Sequence, residues 1–214
     1  MLAVFFLRLI FSDMKRHHSH LHIVIGLIFS LGAAPAVASE GLLNASPAVA
    51  PKTTESVQLD RLFVQLAQSQ TPEDAKVVEG LIWSVWNRSG SISVDLLMDR
   101  GLEALAAGNY ETALTFLDEV VDLAPGYSEG WNKRATVYFL QDDYASALND
   151  LEATLALEPR HFGAIGGLAL VLEDLGDKEG ALDAYRRVLA VYPFLEGAVE
   201  AESRLSVEIE GRGI

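Results

Sequence analysis

The sequence predicts an all-α fold, an α-α superhelix in which one helical hairpin stacks on copies of itself. Three observations predict it. Pro125, Pro159 and Pro193 stand thirty-four residues apart. Ala113, Ala147 and Ala181 each lie twelve residues before one of them. Seventeen residues before each proline a short loop begins: Gly108-Asn109-Tyr110, Asp142-Asp143-Tyr144 and Gly176-Asp177-Lys178. A fixed period of this length marks one supersecondary unit copied along the chain. Stacked helical units build extended binding surfaces rather than catalytic pockets.

The N-terminal 38 residues are read apart from the fold. Lys15-Arg16 and a His-rich stretch precede the apolar run from Ile23 to Leu31, and Ala36-Val37-Ala38 precede Ser39. A basic n-region, a short apolar h-region and small residues at an A-x-A site make a secretory signal peptide. The rival reading is an uncleaved inner-membrane anchor at residues 21–38, although Gly32 and Pro35 interrupt a stretch that barely spans a bilayer. A second apolar run fills residues 1–12, so the true start is either Met14 or the first residue of a long leader. The expected location is the bacterial periplasm.

Charge and composition exclude several function classes. The chain carries 16 basic and 30 acidic residues; without Arg8, Asp13, Lys15 and Arg16 it keeps 13 and 29, a net charge of −16. Nucleic acids and anionic lipid surfaces require a basic footprint, so neither is an expected partner. There is no cysteine, which removes disulfides and redox chemistry. Four of the five histidines lie in the leader, leaving His161. Neither a structural zinc site nor a histidine-based triad follows from one histidine, so no metal or cofactor is expected.

Residues 39–56 are rich in Ser, Ala, Pro and Thr without a helical period and read as a disordered linker. Residues 57–93 read as a helical hairpin. Its first helix carries Leu59, Leu62, Phe63 and Leu66 at helical spacing. Its second opens on Thr71-Pro72-Glu73-Asp74: an N-cap, a proline in the first turn, then acids beside the positive helix end. Val77, Val78, Leu81, Ile82, Val85 and Trp86, with Trp83 nearby, form its expected apolar face. This hairpin is expected to be a degenerate repeat capping the N-terminal end of the array. Three units in register follow at 94–127, 128–161 and 162–195, then a capping helix within 196–214.

These units resemble the tetratricopeptide repeat family, whose eight preferred positions fall in unit two on Trp131, Arg134, Ala135, Tyr138, Ala147, Leu151, Thr154 and Pro159. Unit three supplies Ile165, Leu168, Ala169, Leu172, Ala181, Tyr185, Val188 and Pro193. Unit one supplies Leu97, Arg100, Gly101, Ala104, Ala113, Leu117, Val120 and Pro125. Arginine replaces leucine in two units and Thr154 stands where alanine is usual. The resemblance implies a right-handed solenoid whose first helices line a concave groove that holds a peptide or helix of another protein. It places Met98, Leu102 and Leu105, then Asn132, Thr136 and Phe139, then Gly166, Leu170 and Glu173 on that surface, where each is either groove or inter-repeat core. Gly166-Gly167 either makes room for a ligand backbone or permits close helix packing. A subset of the family grips acidic C-terminal tails with basic and amide side chains. Here the matching positions hold Met98, Leu102, Lys133, Gly163 and Gly167, of which only Lys133 is basic.

The expected function is therefore an exported interaction module for another protein or peptide, supporting envelope assembly or integrity. The alternative is the same module tethered by its leader. Catalysis is not expected. The acid pairs Asp118-Glu119, Asp142-Asp143 and Glu173-Asp174 are sequence neighbours, and neighbours on a helix do not face one another.

Overall fold

The computed structural model describes residues 53–211, and no strand occurs among them. The helices are α1 (Thr54–Gln68), α2 (Pro72–Trp86), α3 (Ile92–Ala106), α4 (Tyr110–Leu123), α5 (Ser128–Leu140), α6 (Tyr144–Leu157), α7 (Phe162–Asp174), α8 (Lys178–Val191) and α9 (Glu196–Glu210). The leader, the Met14 start, linker residues 39–52 and the tail from Arg212 lie outside the described residues. The end of the expected linker is helical instead. Thr53 caps α1 by accepting the Ser56 N–H at 3.1 Å, so the helix begins at Thr54.

The three repeat units share one turn. Gly108, Asp142 and Gly176 have φ of 74°, 59° and 81°, the left-handed conformation that ends a helix. Asp142 fills it because a short polar side chain tolerates that region. In each turn the next N–H reaches back to the last helical turn: Asn109 to Ala104, Asp143 to Tyr138 and Asp177 to Leu172, all at 2.9 Å. Asp143 and Asp177 then cap α6 and α8 through their carboxylates. Turn and cap together set the antiparallel second helix.

Packing follows from small residues at the crossings. Ala113, Ala147 and Ala181 are fully buried, as are Leu117, Ile165 and Val188. A Cβ on Gly101 would sit 3.1 Å from Leu117 Cγ, so a side chain there would fit only if Leu117 gave way. Thr154 is fully buried where alanine is usual, because its hydroxyl donates to the Asp150 carbonyl at 2.8 Å. Arg134 also differs from the leucine of the family pattern. It grips Asp150 through Nε and Nη2, reaches Asp118 through Nη1, all at 2.8 Å, and covers Trp131. Its guanidinium thus ties α5 to α4 and α6. Arg100, the equivalent in unit one, pairs with Glu103 at the surface.

First helices touch first helices: α3 meets α5 and α5 meets α7. They form one row, with the second helices alternating behind it. At the C-terminal end α9 packs on α8 and buries Ala198, Ala201 and Leu205. Arg186–Glu202 and Lys178–Glu208 pairs flank that contact.

The N-terminal hairpin departs from the expected cap. Its buried residues do not join the core around Val94, Met98 and Leu117 in unit one. They join Phe162, Ile165, Tyr185 and Tyr192 in unit three. The α2 face is the expected one in part: Ile82, Val85 and Trp86 are buried with Val78 and Trp83 packed beside them, but Val77 and Leu81 are exposed while Glu79 is buried. The reason is polar. Glu79 accepts from the indole of Trp83 at 3.2 Å and from the Tyr192 hydroxyl at 3.1 Å, which turns α2 about its axis.

Candidate protein-interaction groove

The row α3–α5–α7 carries all nine residues expected in the groove, but they divide by exposure. Leu102, Leu105, Thr136, Gly166 and Leu170 are half-exposed. A Cβ on Gly166 would meet nothing within 4 Å, so its backbone faces open space. Gly167 differs: a Cβ there would lie 3.2 Å from Leu151 Cδ2, and this glycine serves packing. Packing, one of the two roles that the sequence left open, thus falls to Gly167, while Gly166 borders open space.

Three candidates face inward instead. Met98 packs with Val94 and Leu117 in the core of unit one. Phe139 joins the core of units two and three, its ring 6.0 Å from that of Tyr144. Asn132 is buried because its amide donates to Glu129 Oε2 at 2.9 Å. Glu173 is half-exposed but held by its neighbours: Tyr185 donates to one oxygen at 3.2 Å and Arg204 to the other at 2.6 Å.

A buried polar cluster closes the end of the row where α5 and α7 begin. Glu129 is fully buried and ion-paired with Lys133 at 2.7 Å. His161, also fully buried, accepts the Ala164 N–H at Nδ1, so its proton sits on Nε2 and is donated to Glu129 at 2.9 Å. Burial raises the Glu129 pKa, but the Lys133 charge and the His161 and Lys133 hydrogen bonds outweigh it and lower it to about 2. Two tryptophans of α2 seal the cluster. Trp86 stacks on His161 with centroids 4.0 Å apart and planes 8° apart. Trp83 meets Phe162 edge-on at 5.3 Å, with the Lys133 ammonium 5.2 Å from its ring.

Sequence reasoning missed Glu129, His161, Trp83 and Trp86 as parts of this surface. Two signals were present: Glu129 lies thirty-four residues before Gly163, and two of the three tryptophans stand three residues apart.

The polar groups of this surface are engaged with one another. Lys133 is engaged by Glu129 and Trp83 and is not available to an acidic tail. Both ring nitrogens of His161 are occupied. Each adjacent acid pair has a member in a structural bond: Asp118 to Arg134, Asp143 to the α6 N-terminus, Glu173 to Arg204. Among the described residues no group of three or more His, Cys, Asp or Glu is placed to hold a metal ion.

Residues 98–151 and 132–196 match the tetratricopeptide repeat family model. Over 187 residues the chain is 35% identical to a TPR repeat-containing protein of Rhizobium etli, a match covering 87% of this chain and 91% of that protein. The chain belongs to the tetratricopeptide repeat family. Among solved structures, this tetratricopeptide repeat protein is similar to the Sgt2 TPR domain from Aspergillus fumigatus, at 22% identity and TM-score 0.54, over 57% of this chain and 83% of that one. It is also similar to the first TPR domain of Spaghetti, bound to an HSP90 peptide, at 23% identity and TM-score 0.53, over 55% of this chain and 93% of that one. At these identities the likeness concerns the repeat fold. No helix among the described residues is long and apolar enough to cross a membrane.

Proposed function

We propose that this protein is an interaction module that holds a helix or extended segment of another protein against the α3–α5–α7 row. One observation carries the reading. Leu102, Leu105, Thr136 and Leu170 are half-buried, the three leucines packed against the repeat cores with part of each side chain left exposed along one row, beside open space at Gly166. A row of partly exposed apolar side chains drawn from three neighbouring helices suits a partner that docks side chains into a groove. The peptide seen on the Spaghetti TPR domain is support by analogy of fold alone. An acidic tail is disfavoured because the one cation at a tail-gripping position already has its partners.

The test is capture. A photo-crosslinking residue at Thr136, used in cells, traps the partner for identification. Leu102→Glu with Leu170→Glu abolishes trapping while the far-ultraviolet dichroism stays helical; undiminished trapping refutes the groove. These two leucines are chosen because Phe139 is buried and its substitution would disturb the core.

The location in this reading is the bacterial periplasm, supported by the leader at residues 1–38, and the role is assembly or maintenance of the envelope. A tethered module is the alternative that the apolar run at residues 21–38 supports. N-terminal sequencing of the exported protein separates them: a start at Ser39 excludes the tether.

A further inference from the structure

We infer that the α1–α2 hairpin is a resident ligand docked on the end of the array where α5 and α7 begin, rather than a cap of the repeat array, and that a partner helix bearing two aromatic residues one turn apart takes its place. The inference goes beyond the reading of the α3–α5–α7 row as a binding surface: it concerns the adjoining end of the array, where the hairpin meets Lys133, His161, Phe162 and Gly163 and packs on α8.

The hairpin is joined to α3 only by residues 87–91, where Gly90 adopts φ 81°. Its seat is more distant in sequence. Trp83 lies over Gly163 and Lys133, both at groove positions of the family pattern, and a Cβ on Gly163 would come within 3.0 Å of Trp83 Cη2. The glycine therefore makes the hollow that receives the indole. Trp86 stacks on His161, and Asp60 reaches Arg160 at 2.8 Å while the Arg160 guanidinium covers Phe63 at 4.4 Å. Flat rings on flat partners, with an ion pair at the rim, match the anatomy of an interface between separate proteins.

Two features make this seat exchangeable. The Trp86 indole N–H is buried with no acceptor, a penalty that opening removes. Val64, Val77 and Leu81 are exposed, so the hairpin is not wrapped by the solenoid. A ligand attached in cis enjoys an effective concentration of about millimolar, which a partner must overcome. A helix with the same aromatic pair, and a carboxylate one turn before it in the place of Glu79, matches the seat.

Hydrogen exchange on the full chain tests detachment. In the wild type, α2 amides exchange about tenfold or more faster than those of α5 and α7, as expected for a unit that opens before the rest. Gly163→Val, which fills the hollow, increases that difference, whereas Gly166→Ala, in open space, leaves it unchanged. Arg160→Ala, at the rim, is the second variant should Gly163→Val fold poorly. Exchange of α2 in step with α5 and α7, unaltered by these changes, overturns the inference. Occupancy is read with a fluorescent peptide of residues 71–87. It binds full-length Trp83→Ala/Trp86→Ala protein about tenfold or more tighter than wild type, whose own hairpin competes. A peptide lacking both tryptophans does not bind. Equal affinity for the two proteins, or no binding to a folded double variant, overturns it as well. Neither readout uses the captured partner, so loss of the proposed groove function and loss of this inference are separate outcomes.

Discussion

Gly166→Ala and Gly167→Ala are neighbouring substitutions of the same chemistry, and the structure assigns them different consequences. Both replace a glycine inside α7, and alanine in a helix interior is favoured over glycine by about 1 kcal/mol. At Gly166 the new methyl meets nothing within 4 Å, so the whole gain is kept. For a chain of this size about 1 kcal/mol raises the melting temperature by roughly 2–4 °C. At Gly167 the methyl would lie 3.2 Å from Leu151, itself buried in the core of units two and three. Crowding of that kind costs about 1–3 kcal/mol, leaving a net effect between near zero and about 2 kcal/mol of destabilisation. Urea denaturation of the two variants measures the difference directly. Gly166→Ala is also expected to reduce partner capture in spite of its added stability, because the methyl occupies the space a bound segment would approach. A destabilised Gly166→Ala would refute the open-space assignment. A stabilised variant with undiminished capture would show that no ligand backbone lies against α7.

Four further outcomes follow from the polar contacts. Arg134→Leu restores the family residue but strands the buried Asp150, and a lost partner of that kind costs about 3–5 kcal/mol; adding Asp150→Leu should recover most of it in a urea double-mutant cycle. Asp142→Gly should change the melting temperature little, whereas Asp142→Val, at φ 59°, should lose about 1–2 kcal/mol. The Glu129 pKa lies at about 2 when folded, below the ordinary 4.5, so its stabilisation is present above about pH 4.5 and is lost as pH falls toward 2. Glu129→Gln should flatten the stability–pH slope in that window, and an unchanged slope would exclude the pairing. Burial, with neighbouring carboxylates, raises the hydroxyl pKa of Tyr127, Tyr144, Tyr185 and Tyr192, so the stability they contribute is full below about pH 10 and declines above it. Their phenolate absorbance should therefore appear together with alkaline unfolding, not before it.

The repeat array was legible because its determinants are local. A left-handed turn residue, an aspartate cap and a small residue at the helix crossing all act within one period, and each recurs thirty-four residues later. The departures became legible only with neighbours in view. Arg134 fits because Asp118 and Asp150 each stand sixteen residues away on adjoining helices, and no pattern within α5 records that. The hairpin was misplaced for the same reason. Helical spacing identified α1 and α2, including the Thr71 cap, but stacking order was inferred from chain order. The energy lies elsewhere: Glu79 meets Tyr192 across 113 residues, and Asp60 meets Arg160 across 100.

The groove shows where periodicity stops informing. Register states which side of a helix a residue occupies, and it placed nine candidates on the α3–α5–α7 row. Exposure depends on what covers that side. Asn132 and Lys133 are both spoken for by Glu129, three and four residues before them, and Glu-to-Lys spacing of four is a pairing that a helix supports by itself. That much could be read from α5 alone. The tryptophans at 83 and 86 could likewise be read as one aromatic face of α2, too large to leave in water. What sequence could not supply was that this face and the Glu129 cluster close upon each other. The closure is fitted to Gly163, since a Cβ there would press on Trp83 at 3.0 Å, and it requires His161 in the tautomer that leaves Nδ1 free to accept. A glycine and a histidine two residues apart are unremarkable in a sequence; their value here comes from an indole delivered from a helix that ends more than seventy residues earlier.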